Sequence, residues 1–288
     1  MPRANSHPSL ESVVRAPALD AVPGLAHGFS TRIAPRGHGA FDLGMQPGQD
    51  RSAAAERRRQ FAQMLSGNGD PLPLVTIRQV HSDVVHAVTD LPAEELAGDG
   101  LITNTPGLLL GIKTADCVPV LIADRNVRAV GAFHAGWRGT LARIVEKGVG
   151  ALRQHYGARA EHMAAAIGPC IHSCCYEVSA ELRDEFASQF DYADELFTDV
   201  FASDPVREKY PLLFMNMRAP GHGAPPSRPH LDLVEANRRQ LLAAGVPEDA
   251  IDVSPLCTSC RTDLLFSHRA EKGKTGRMMA AIGFHVAG

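Results

Sequence analysis

Two histidines and a cysteine carry the chemistry that this chain could do. His81 closes the segment Arg78-Gln79-Val80-His81, Cys117 lies in Thr114-Ala115-Asp116-Cys117-Val118-Pro119, and His134 lies in Ala132-Phe133-His134-Ala135-Gly136-Trp137-Arg138-Gly139. Imidazole and thiolate are the ligands that borderline and soft divalent metals prefer. Three protein ligands on a zinc ion leave a fourth position for water or substrate, as catalytic zinc sites do. The separations match no zinc-finger or metalloprotease spacing, so the same residues also read as a buried thiol and two hydrogen-bonded histidines. A third reading makes Cys117 a nucleophile with His134 as its base. Such a dyad uses one histidine, whereas a metal uses both, and the second histidine favours metal.

Other residues could serve an anion. Arg32 in Gly28-Phe29-Ser30-Thr31-Arg32 and Arg269 in Phe266-Ser267-His268-Arg269 offer planar forks of donors that match phosphate. Gly136 to Gly139 form a strand-to-helix turn whose backbone N–H groups could receive an anion, or simply turn the chain. Cys170, Cys174 and Cys175, with Cys257 and Cys260, could suggest a second zinc site, but Cys257 and Cys260 are a single C-x-x-C, the others lack finger spacing, and the set reads as reduced thiols. The glycines around Phe41-Asp42-Leu43 form neither a dinucleotide fingerprint nor a P-loop.

The elements that position these groups follow from apolar spacing. Residues 52–65 read as a helix with Phe61, Met64 and Leu65 on one face. Strands are expected at 84–89, 108–113, 118–123 and 127–133, and the continuous apolar runs among them suit strands buried on both faces. The polar turn Asp124-Arg125-Asn126 joins the last two into a hairpin. A helix after Gly139 carries Leu141, Val145, Val149, Leu152 and Tyr156, and Gly157 stops it. Residues 163–167 read as a strand, and Leu182, Phe186 and Phe190 mark a helix entered from Ser179. Another helix starts at Asp232 and ends before Gly245 and Pro247. Prolines and glycines break all periodicity over 203–229, which reads as a long loop insert, either a lid or loosely ordered.

Composition bounds the rest. A chain of 288 residues is long for one domain and short for two. The expectation is a flexible arm over 1–24, then a single mixed α/β domain over 25–288. A net charge of -3 gives no polyanion-binding footprint, so nucleic acid is a poor partner. No signal-peptide core and no bilayer-length apolar stretch occur, which points to a cytoplasmic protein without a membrane partner.

Taken in order, several segments resemble the YfiH/laccase-domain family, also called multicopper polyphenol oxidase-like or peptidoglycan editing factor proteins. They are Gly28-Phe29-Ser30-Thr31-Arg32, Gln79-Val80-His81, Gly98-Asp99-Gly100-Leu101-Ile102-Thr103, and the Cys117 and His134 segments quoted above. Further on come Ile167-Gly168-Pro169-Cys170, Cys174-Cys175-Tyr176-Glu177-Val178, Cys257-Thr258, and Phe266-Ser267-His268-Arg269 leading to Thr275-Gly276-Arg277. The resemblance implies an α-β-β-α layered sandwich and a zinc held by His81, Cys117 and His134, with copper as the alternative metal. It implies phosphorolysis of purine nucleosides (adenosine, inosine, methylthioadenosine), with purine nucleoside and phosphate as substrates and adenosine deamination at the same site. Copper-dependent polyphenol oxidation and cell-wall precursor editing are the rival family roles. Two departures stand out. Residues 33–40 lack the family's double glycine, with Asp42 where Asn is usual, and an insert separates Tyr210 from Leu231.

Overall fold

A computed structural model describes residues 12–35, 39–45, 50–67, 69–201 and 227–286. By its internal contacts the chain divides into one unit of residues 1–171 with 233–288 and a second of 172–232.

The first unit holds two sheets. One has the order β1-β2-β13-β6-β3, built from β1 (Val13–Val14), β2 (Leu25–Ser30), β3 (Leu74–Thr76), β6 (Leu109–Thr114) and β13 (Met278–Phe284). The other has the order β12-β9-β7-β8-β5-β4, built from β4 (Val85–Ala87), β5 (Gly100–Thr103), β7 (Val118–Asp124), β8 (Ala129–Ala135), β9 (Met163–Ile167) and β12 (Ile251–Val253). Strands β7 and β8 form the expected antiparallel hairpin, with Pro119 opposite His134. Every residue of both strands is buried, because each face is covered.

Alternate side chains explain the layers. Leu110, Ile112, Ala280 and Ile282 from the first sheet meet Leu101, Leu121, Val130 and Ala166 from the second in one core. On the outer face of the first sheet, Leu109, Met279 and Ala281 pack with Phe61, Ala62 and Leu65 of helix α2 (Arg51–Ser66). Asp50 caps that helix by accepting from Ser52 and Ala53 N–H. Helix α4 (Ile144–Tyr156), with Ile144, Val145, Val149 and Leu152 buried, covers the second sheet, and Gly157 ends it in the left-handed conformation at φ 66°. This is the α-β-β-α sandwich expected from the resemblance.

Three expectations meet differences. The helix expected after Gly139 is two pieces, α3 (Trp137–Leu141) and α4, because Arg143 adopts φ 60° between them. The arm expected over 1–24 gives way from residue 12 to β1 and a helical turn, α1 (Pro17–Asp20). Ala16, Leu19 and Val22 are buried in the inter-sheet core, which ties that segment down. The single domain gains a second compact unit over 172–232. There α5 (Ala180–Ala187) and the antiparallel pair β10 (Phe197–Phe201) and β11 (Ser227–Leu231) gather their own aromatic cluster. Phe186 lies 5.7 Å from Phe190 and 5.8 Å from Phe197, ring centre to ring centre. The expected insert over 203–229 falls mostly outside the described residues, and Ser227 to Pro229 belong to β11. The helix expected from Asp232 runs as α6 (Leu233–Ala243).

Candidate metal centre

Strand pairing brings two of the three chemical residues together. Cys117 immediately precedes β7 and His134 lies near the end of β8, so the hairpin places them at one end. His81 arrives from the loop before β4. The ligand atoms of His81, Cys117 and His134 all lie within 4.8 Å of one another. Cys117 Sγ is 4.0 Å from His81 Nε2, and the two imidazoles meet edge to face at 5.0 Å. His134 is buried, Cys117 partly exposed and His81 exposed, so the cluster opens to solvent on the His81 side.

Both unusual backbone conformations at this end belong to the site. His81 has φ 59° and Asp116, next to Cys117, has φ 91°. Such values cost a residue with a Cβ on the order of a kcal/mol and persist only when neighbours enforce them. Asp116 is held by its side chain, which accepts from Thr258 Oγ1 and from the Arg269 N–H, each at 2.6 Å. His81 is held by Asp99, a fully buried carboxylate whose Oδ1 accepts from the His81 N–H at 3.1 Å. The same Oδ1 lies 2.8 Å from His134 Nδ1. That contact commits Nδ1 and leaves Nε2 as the ring atom for the cluster.

The electrostatics match a ligand set. Burial opposes charge on His134, but the Cys117 thiolate and Asp99 outweigh it and raise its pKa to about 9. Burial likewise opposes the Cys117 thiolate, yet His134 and then His81 bring its pKa down to about 6. Asp99 is held well below the usual carboxylate range: burial works against this, and hydrogen bonds from His134 and Ser82 prevail. Both shifts run in the direction of a thiolate beside a charged imidazole.

The donor set also leaves room for an ion. A Cβ added at Gly136 would lie 3.1 Å from both Cys117 Sγ and His81 Cδ2. Glycine there keeps the space beside the donors clear. Ligands on a tetrahedral zinc sit roughly 3.5 Å apart, given Zn–S near 2.3 Å and Zn–N near 2.0 Å. A small inward movement of the three donors reaches that spacing, so these residues fit a zinc ion.

Arg32 is placed differently. Its Nη1 donates to the Thr262 and Leu265 carbonyls at 2.6 and 3.3 Å, and its Nη2 pairs with Glu271 at 3.3 Å. Its guanidinium also stacks 4.6 Å from the Phe266 ring. These contacts anchor the 262–271 segment, and they join Arg32 to no member of the His-Cys-His cluster. Asp42 accepts from the Gly44 and Arg277 N–H groups, both at 2.8 Å, through one oxygen. An asparagine carbonyl could do the same, which explains how either residue serves there.

The model of the family described as multi-copper polyphenol oxidoreductase laccase matches residues 26–285. The chain belongs to this family. Its relatives share most of its length. A purine nucleoside phosphorylase of Deinococcus radiodurans is 38% identical over 279 residues, 94% of this chain and 92% of that one. A protein named adenosine deaminase RL5, from an unknown prokaryotic organism, is 32% identical over 82% of this chain and 83% of its own. The crystal structure of YlmD from Geobacillus stearothermophilus superposes with a TM-score of 0.75 at 34% identity, covering 97% of this chain and 98% of that one. The family's fold is therefore the fold of this chain.

Sequence reasoning did not single out Asp99. It was visible only inside Gly98-Asp99-Gly100-Leu101-Ile102-Thr103, one of the segments that carry the resemblance, with no role attached. Its role appears when the strand β5 that follows it pairs with β8 and brings it under His134.

Proposed function

We propose that this protein is a zinc-dependent purine nucleoside phosphorylase acting on adenosine, inosine or methylthioadenosine, with adenosine deamination as a second reaction at the same site. The observation that carries this reading is the convergence of His81, Cys117 and His134 in a family whose near full-length relatives bear the phosphorylase name. A relative named adenosine deaminase supports the second reaction.

His81 Nε2, Cys117 Sγ and His134 Nε2 would hold the zinc. Bound there, the ion supplies Lewis acidity and a fixed positive charge. In phosphorolysis a phosphate oxygen bonds to the ribose anomeric carbon as the bond to the purine nitrogen breaks, and the purine leaves with a proton. The protein's work is to place an anion and a sugar in line and to offset charge as it moves. Arg32 enters as the phosphate anchor through the N–H groups on Nε and Nη2 that its contacts with Thr262, Leu265 and Glu271 leave over.

The donor set also suits copper, and the family's description names that metal. Polyphenol oxidation by several coppers needs clustered histidines, and no H-x-H pair occurs in the sequence. Six cysteines in a chain of 288 residues suit reduced thiols or metal ligands better than a disulfide framework, and we place the protein in the cytoplasm. Among the described residues no helix is long and apolar enough to cross a membrane.

Protein purified without added metal should carry zinc, and should convert inosine or adenosine to free base and ribose 1-phosphate only when phosphate is supplied. Base release at the same rate without phosphate would replace the phosphorylase by a hydrolase. No turnover of any nucleoside would favour an accessory role in cell-wall precursor editing.

A further inference from the structure

One side chain touches both histidines. The two oxygens of Asp99 accept five hydrogen bonds. Oδ1 takes the His81 N–H and the His134 ring Nδ1–H. Oδ2 takes the Val80 N–H at 3.2 Å, the Ser82 N–H at 2.6 Å and the Ser82 hydroxyl at 2.8 Å. Three consecutive backbone N–H groups, 80 to 82, thus converge on one carboxylate. They can do so because His81 adopts φ 59°, which curls the chain into an anion-binding concavity. The Asp99 backbone carbonyl also accepts the His134 N–H at 2.8 Å.

We infer that Asp99 is the positioning residue of the metal centre, setting the His81 corner and the His134 ring at once. It lies outside the ligand cluster itself. Its carboxylate fixes the left-handed backbone that carries one ligand and the tautomer that frees Nε2 of another. An asparagine has nearly the same volume but offers one acceptor oxygen. Its NH2 group would face N–H donors at 80 to 82 or at His134, and one of the two histidines would lose its hold. Carboxylates that hold a metal ligand in place in this way are worth about 10- to 100-fold in metal affinity. Ser82 contributes through its hydroxyl, so Ser82→Ala removes one of the five bonds and leaves the nest.

The inference rests on the reading of the corner as a metal site, and the experiment separates the two. Full-length protein is stripped of metal, and zinc affinity is measured by competition with a chromophoric chelator. Cobalt(II) is then bound, and its visible spectrum reports the ligand geometry. Wild-type protein that takes up no zinc ends the metal reading, and this inference with it. If the wild type binds, Asp99→Asn should bind zinc about 10- to 100-fold more weakly. Its cobalt spectrum should keep the thiolate charge-transfer band from Cys117 while the ligand-field bands shift. A purely structural role would lower the melting temperature and leave both the affinity and the ligand-field bands of the folded protein unchanged, and that result overturns the inference. Should Asp99→Asn yield no soluble protein, Ser82→Ala decides. A loss of about three-fold or more in zinc affinity supports the assignment, and wild-type affinity overturns it.

Discussion

His27 and His134 are both buried in the first unit, and their surroundings drive them in opposite directions. His27 is fully buried; its Nε2 accepts the Ala16 N–H at 3.1 Å, and its Nδ1 has no hydrogen-bond partner among the described residues. Burial dominates there, only partly opposed by Asp20 at 3.8 Å, and the pKa falls to about 4. His134 is as deeply placed, but it sits between Asp99 and Cys117 and its pKa rises to about 9. Depth alone makes an imidazole a neutral packing element. Anionic neighbours at bonding distance make the same ring a functional group, and that distinction separates the structural histidine from the candidate ligand.

The largest expected effect tests the His134 side of this contrast. Cys117→Ala should leave the purified protein without bound zinc and abolish both phosphorolysis and deamination, since both are proposed to use one metal. Elemental analysis beside a base-release assay reads this directly. Full turnover by Cys117→Ala would return the corner to the status of His27. His134→Ala should behave alike.

The His27 side predicts a pH dependence of stability. The unfolded chain protonates this residue near pH 6.5, whereas the folded protein resists until about pH 4. Between those values the unfolded state holds more protons, so stability falls as pH falls through that window and is unaffected above it. The loss from this residue between pH 7 and pH 5 should be about 2 kcal/mol, at 1.36 kcal/mol per pKa unit. Urea titrations of wild type and His27→Gln at the two pH values measure it. Equal slopes in the two proteins would show that burial does not govern His27.

Arg32 sharpens the comparison from outside it. Arg32→Ala should cost about 1–3 kcal/mol of stability, because it strips two carbonyls and Glu271 of their charged donor. Metal content should be unchanged. A rise in the KM for phosphate with the KM for nucleoside unaltered would identify its guanidinium as the anion anchor. Equal KM values for phosphate in variant and wild type would confine Arg32 to holding the 262–271 segment. The smallest change is Gly136→Ala. Its φ of -73° suits any residue, so the fold should persist, while the added methyl crowds Cys117 and His81. Zinc affinity should drop by several-fold, about 1 kcal/mol. An unchanged affinity would mean that the ion sits away from that side of the cluster.

Local pattern made much of this legible. The apolar runs flanking Asp124-Arg125-Asn126 gave the hairpin that joins Cys117 to His134, and Gly157 marked the end of α4 where its left-handed conformation places it. What stayed hidden depends on residues distant in sequence. The parallel pairings of β3 with β6 and of β12 with β9 leave no local trace. Nor does the left-handed turn at His81, which a β-branched neighbour and an imidazole would not suggest. Arg32 was read as a residue with anion-binding donors, but sequence does not show whether carbonyls and Glu271 already occupy them. The compact unit over 172–232 left no such trace either: Phe186 and Phe190 read as the face of a helix, and nothing local joins them to Phe197.

The position of β13 has a consequence for how the protein is made. Met278–Phe284 lies between β2 and β6, pairing with both. During synthesis those two strands wait, each with one edge unpaired, until nearly all of the described chain has left the ribosome. Exposed strand edges invite pairing with other chains, so this interval is when the nascent protein most needs a chaperone. Thr114, the last residue of β6, pairs with Met278, so the stretch leading to Cys117 is also secured only then. The His-Cys-His corner is thus completed only after β13 is made, and a ribosome stalled short of residue 278 should release a product that sediments with aggregates and carries no zinc.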